Sequence, residues 1–162
     1  MKRVFFVLII CGLTQLLNAQ SDPVSKIFNQ YAEEEGFTTV NISPGMFKML
    51  AKIDPDDKDL QKISELKEVR ILTQEGKEGR YKDVNFYEEI YNQLDKSLYK
   101  EVMVVKEADE HVNMLVREDN GVISEFLMIV TSDDENVLIN IKGDIDLAEI
   151  DRITGGINLD LP

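Results

Sequence analysis

The sequence predicts an α+β domain: a mixed β-sheet that carries a four-strand antiparallel meander, with helices packed chiefly on one face. Three observations lead there. Apolar residues recur at the helical period in much of the first half of the chain, from Val24 to Leu98. From Glu101 to Lys142 the pattern changes to period two. Within that second half, Asn120-Gly121 is the strongest short signal for a hairpin between antiparallel strands.

The first helix opens at Asp22-Pro23, a capping residue followed by proline at a position that needs no N–H. Val24, Ile27, Phe28, Tyr31 and Ala32 share its inner face, and Gly36 is expected to end it. The β-branched run FTTVNI is a strand. SPGMFKMLAK repeats the opening grammar, with Ser43 as cap and Met46, Phe47, Met49 and Leu50 turned inward. After DPDDKD, the spacing of Leu60, Ile63 and Leu66 predicts a second short helix. EVRILTQ is the next strand, and strand–helix–strand in one direction implies a parallel pair if both strands share a sheet. EGKEGRYKD is a glycine-punctuated loop. Asn85 and Glu88 have the spacing of a capping box ahead of a helix through Tyr87, Ile90, Tyr91, Leu94 and Leu98.

Four strands then follow: EVMVVKE, HVNMLVRED, VISEFLMIVTS and NVLINIK. Phe126 to Val130 is apolar without alternation, as expected for a central strand covered on both faces. GDIDLAEIDRITGG is read as a closing helix capped by Asp144 or Asp146, with Leu147, Ile150 and Ile153 inward.

Residues 1–19 have the anatomy of a secretory leader. Lys2 and Arg3 precede the apolar run Val4–Leu13, and Ala19 offers a small residue at a cut before Gln20. The expected organisation is therefore a signal peptide over 1–19 and a single α+β domain over 20–162, located in the periplasm or outside the cell. Lipid anchoring through Cys11 fits less well, because Ile10 precedes it and apolar sequence continues past it. Loss of Lys2 and Arg3 takes the formal net charge from −13 to −15 and leaves no cysteine. Such a balance disfavours nucleic acid and anionic lipid, both of which require a basic face. It also leaves stability to a hydrophobic core rather than to disulfides.

Candidate chemistry is sparse. His111 is the single histidine, and no G-x-S-x-G stretch supplies a serine for it. Counted from Asp54, the acidic loop places Lys58 fifth, Asp59 sixth and Glu65 twelfth, and only the last suits an EF-hand. Capping of the next helix by Asp56 or Asp57 explains these residues more simply. Asp144, Asp146 and Glu149 suit a helix N-terminus. Gly76 and Gly79 lack the spacing of a phosphate loop. No catalytic, cofactor-binding or metal-ligating residue is nominated, and no cofactor is expected.

Taken together, FNQYAEEEGFTTVNISPGMFKML, ILT, FLMIV and VLINIKGDIDLAEI resemble the domain of unknown function 4252, a family of small exported proteins of Bacteroidetes. The resemblance implies an envelope location and one domain, and it carries over no activity and no site residues. The expected function is a non-catalytic protein-interaction or signalling and stress-associated module with a protein partner, its oligomeric state left open. Two alternatives stand beside it. One is a small-ligand or lipid carrier whose cavity Met46, Met49, Met103, Met114 and Met128 would line. The other is a hydrolase that uses Asp or Glu. A closed core would remove the carrier, convergent carboxylates would favour the hydrolase, and an exposed apolar patch would favour the binding module.

Overall fold

The computed structural model describes residues 22–145. The expected leader, with Cys11, and the closing helix beyond Ile145 lie outside the described residues. Helix α1 spans Pro23–Tyr31, and the Asp22 carboxylate accepts the Val24 N–H at 3.2 Å and the Ser25 hydroxyl at 3.0 Å. It stops at Tyr31, short of Glu33–Glu35, where three carboxylates would sit against the negative end of the helix dipole. Gly36, at φ +90°, turns the chain into strand β1, Phe37–Ile42.

Helices α2 (Pro44–Ile53) and α3 (Lys58–Ile63) lead to β2 (Leu66–Glu75). The expected parallel pair does not form: β1 and β2 are antiparallel neighbours, with Ile42 opposite Val69. A single helix carries a chain to the far end of a sheet, but here two helices bring it back to the end it left. The chain then passes through short turns at Gly79–Tyr81 and Tyr87–Tyr91. Strands β3 (Lys100–Lys106), β4 (Glu110–Asp119), β5 (Val122–Ser132) and β6 (Glu135–Ile145) complete the structure.

The sheet order is β1-β2-β6-β5-β4-β3, and every pair is antiparallel. The α+β class stands, but the sheet is not mixed. The last four strands lie side by side in chain order, and β1 and β2 extend them to a sheet of six. Asn120 and Gly121 turn β4 into β5 at φ 55° and 84°, as the dipeptide requires. Asp144, expected to cap a helix, lies in β6. In the same strand, a Cβ on Gly143 would stand 2.7 Å from Leu66 Cα, so only glycine permits this approach of β6 to β2.

Helices pack on both faces, not chiefly on one. On the first, α1 buries Val24, Ile27, Phe28 and Tyr31 against Leu72, Leu115, Leu127, Ile129 and Leu138. The segment between β2 and β3 crosses this face and adds Val84, Phe86, Ile90 and Leu94. On the second, Phe47 of α2 and Ile63 of α3 pack with Val69, Phe126, Met128, Ile139 and Ile141. Two covered faces explain the unbroken apolar run of β5. The helix expected through Leu98 is a single turn: Asn85 Oδ1 does accept the Glu88 N–H at 3.0 Å, but the helical run ends at Tyr91 and Leu98 is exposed.

Candidate functional site

His111 lies half-buried at the start of β4, edge-on to the Tyr87 ring at 5.3 Å. It borders a polar cleft of about 320 Å³ with Lys77, Asp83, Asp109 and Ser132. Ser132 is committed to the turn before β6, where its Oγ accepts the N–H groups of Asp134 and Glu135 at 3.3 and 3.0 Å. The Lys77 ammonium donates to the Ser132 carbonyl at 2.6 Å. Burial lowers the pKa of that lysine, and Asp133 and Asp134 oppose the shift. These bonds hold the cleft wall together and leave His111 without the serine a triad requires. In the acidic loop, Asp57 Oδ1 accepts the Leu60 N–H and Asp54 Oδ1 the Asp56 N–H, each at 3.2 Å. Asp57 is thus the cap of α3.

Among the described residues, the most buried carboxylate was not singled out by sequence. Glu125, on β5 and only 3% exposed, accepts hydrogen bonds from Tyr99 Oη at 2.9 Å and Asn140 Nδ2 at 2.7 Å. Arg117 and Lys142 approach it at 3.5 and 3.7 Å. Lys142 also pairs with Asp22 at 3.3 Å, and Arg70 donates to Asn140 Oδ1 at 2.9 Å while its guanidinium covers the Phe28 ring. Burial, and then the nearby Glu125 charge, push the Tyr99 phenol well above its ordinary pKa, so it remains a donor at all ordinary pH. Both Glu125 oxygens are engaged, and its partners are cations and donors rather than a second carboxylate. This arrangement ties the start of α1 and Tyr99 to the sheet. It does not resemble the paired carboxylates of a hydrolase over an open cleft. The signal in the sequence was a glutamate within the apolar run of β5 and an asparagine within LINI, since buried polar residues demand partners.

The methionines do not enclose a cavity. Met128 and Met114 belong to the core beneath α2, whereas Met46, Met49 and Met103 are exposed. A second cleft of about 370 Å³ between α1 and β1 is polar, with Asn29, Glu33, Asn41 and Arg70 on its walls. The inward reading of Met46 and Met49 is thus corrected. At 100° per residue, Phe47 and Ala51 fill the narrow space over the sheet, and this turns Met46, Met49 and Ile53 outward as one stripe. Their exposures are 44%, 53% and 72%. Val40, on the edge strand β1, is exposed as well. From Gly36 to Ile53 there is no carboxylate, in a chain with 31 of them. Among the other exposed apolar residues, Leu98 and Val122 lie apart in the chain, while Val102, Met103 and Val104 of β3 sit at a slip in the strand register, with Met103 and Val104 pointing to opposite faces. They make no single patch.

The family model of the domain of unknown function DUF4252 matches residues 31–153. The chain belongs to this family. The match takes in every strand of the sheet, the α2 stripe and the Glu125 cluster. No curated protein and no solved structure matches the chain. Among the described residues, no helix is long and apolar enough to cross a membrane.

Proposed function

We propose that this member of the DUF4252 family is an exported, non-catalytic module that binds another protein through the outer face of α2. The observation that carries this reading is the stripe Met46, Met49 and Ile53, exposed over a core already closed beneath it by Phe47 and Ala51. Apolar side chains on two sides of a surface helix call for two apolar surroundings, and here only the inner one is filled. Export is supported by the basic start, the apolar run and the small residue of Leu17-Asn18-Ala19. Among the described residues, no cleft is lined by the methionines a carrier would use, and the carboxylates gathered beside His111, Asp83 and Asp109 with Glu110 and Asp133, keep the hydrolase as the second reading.

Photo-crosslinking in the native cells tests the binding face. Benzoylphenylalanine in place of Met49 should give a discrete protein adduct, and the same group in place of exposed Lys96 should not. Equal yields, or no adduct at Met49, would overturn the proposal. For export, intact-mass analysis of protein from the cell envelope should give a chain that begins at Gln20. A diacylglycerol adduct on Cys11 would refute that cut.

A further inference from the structure

The partner's chemistry is written in the charge around the stripe. On a helical wheel Lys48 and Lys52 fall on one flank of Met49 and Ile53, four residues apart and therefore about 6 Å apart along the helix. Both are exposed, and neither has an ion-pair partner among the described residues. Other exposed lysines, Lys26, Lys82 and Lys106 among them, also lack an ion pair, so what sets these two apart is their place beside an exposed apolar stripe. Elsewhere on the described surface, Lys100 pairs with Glu118, Arg117 with Asp119 and Lys142 with Asp22. No carboxylate lies on α2 itself or between Gly36 and Ile53; the next are Asp54 and Asp56, past the end of the helix, where Asp54 Oδ1 accepts the Asp56 N–H.

We infer that the partner is an acidic amphipathic protein segment: an apolar ridge that lies along Met46, Met49 and Ile53, with carboxylates on one side facing Lys48 and Lys52. This inference rests on the proposed binding face. The rest of the domain is strongly negative and would repel an acidic segment, so the α2 face is where such a segment can approach, and approach there is electrostatically guided. A second copy of this chain is a poor occupant. A two-fold contact through α2 would set Lys48 and Lys52 against their own symmetry mates with no carboxylate between them. An anionic bilayer would meet the same two lysines together with the full negative charge of the domain.

The test repeats the crosslink at Met49 in the full chain, with and without Lys48→Glu and Lys52→Glu, and identifies the captured segment by mass spectrometry. Both lysines are exposed, but Lys52 sits in the last turn of α2, so the double variant should stay folded with only a small drop in its melting midpoint, which circular dichroism checks. The expected result is one protein segment with acidic side chains beside its apolar ones, and a yield at least fivefold lower after charge reversal. A captured protein whose yield ignores the reversal, or whose segment lacks acidic residues, would overturn the inference and leave the binding face standing. An adduct of twice the chain mass, or one to lipid, would overturn it in favour of a second copy or a membrane. No adduct at all would remove the binding face itself.

Discussion

The two faces of the sheet are built on different principles. Beneath α2 and α3 the inward side chains are almost entirely aliphatic: Val69, Met128, Val137, Ile139 and Ile141, with Phe126. Beneath the chain that links β2 to β3, the sheet presents Gln74, Thr131 and Asn136 as well. Asn136, fully buried, accepts the Phe86 N–H at 3.3 Å and donates to the Val84 carbonyl at 3.0 Å and to Gln74 at 2.7 Å. Gln74 donates to the Tyr81 carbonyl at 2.9 Å, and Thr131 accepts the Tyr87 N–H at 3.2 Å. The reason lies in what covers each face. Helices satisfy their own backbone groups and need only an apolar floor. An irregular segment carries unpaired N–H and C=O groups into the core, and the sheet must answer them.

The sharpest way to break this contrast is Asn136→Leu. It fills similar space but strands the Phe86 N–H, the Val84 carbonyl and one Gln74 oxygen, which should cost about 3–5 kcal/mol. A denaturant midpoint close to wild type would show that the polar floor does not hold the segment. At the other end of the same face, Tyr99→Phe removes one donor from buried Glu125 and should cost roughly 1.5–3 kcal/mol, as for other hydrogen bonds to charged groups. Chemical denaturation with an unchanged slope would check this; no loss would mean that water replaces the phenol.

The aliphatic face should forgive more. Met128→Leu, fully buried under the α2 side, should cost less than about 1.5 kcal/mol because volume and character are kept. A loss as large as that of Asn136→Leu would erase the distinction between the faces. The smallest effect concerns pH. Glu135 has a raised pKa, first from burial and then from Glu75, its cross-strand neighbour, and Glu110. The folded state therefore holds this proton more tightly than the unfolded chain. The stability it contributes is fully present below the ordinary value of 4.5 and is lost as pH rises through the raised one. Glu135→Gln should lift the melting temperature at pH 7 by about 1–3 °C, a small step for a domain of this size. Melting curves of the two proteins should converge below pH 4.5, and a gap independent of pH would refute the assignment.

Local chemistry was legible and long-range pairing was not. The cap at Asp22, the turn at Asn120-Gly121 and both ends of β5 follow from short-range rules that act within a few residues. The direction of β2 relative to β1 depended on how two helices divide the path between them, which no local pattern states. The supposed helix through Leu98 failed for a related reason. Its apolar spacing was real, since Ile90 and Leu94 are buried, but the helical run stops at Tyr91, and Asn136 and Thr131 only anchor its first N–H groups to the sheet. The same limit hid the exposed stripe of α2: its periodicity was right, and only the fold decides which of two apolar stripes faces inward. The Glu125 cluster gathers residues from β2, β4, β5 and β6, so its parts were visible in the sequence but their meeting was not.

The sheet order also sets a timetable. Strand β2 has two neighbours, β1 on one side and β6 on the other, and Leu72 lies opposite Leu138. An isolated two-strand pair is marginal in water, so β1 and β2 have no durable sheet to join until the last described strand has been made. The hairpins from β3 to β6, in contrast, close between sequence neighbours and pay little loop entropy. The second half should thus form first and serve as the template on which the first half is laid. A chain synthesised from its N-terminus would then keep β1 and β2 without a sheet to join until β6 has been made.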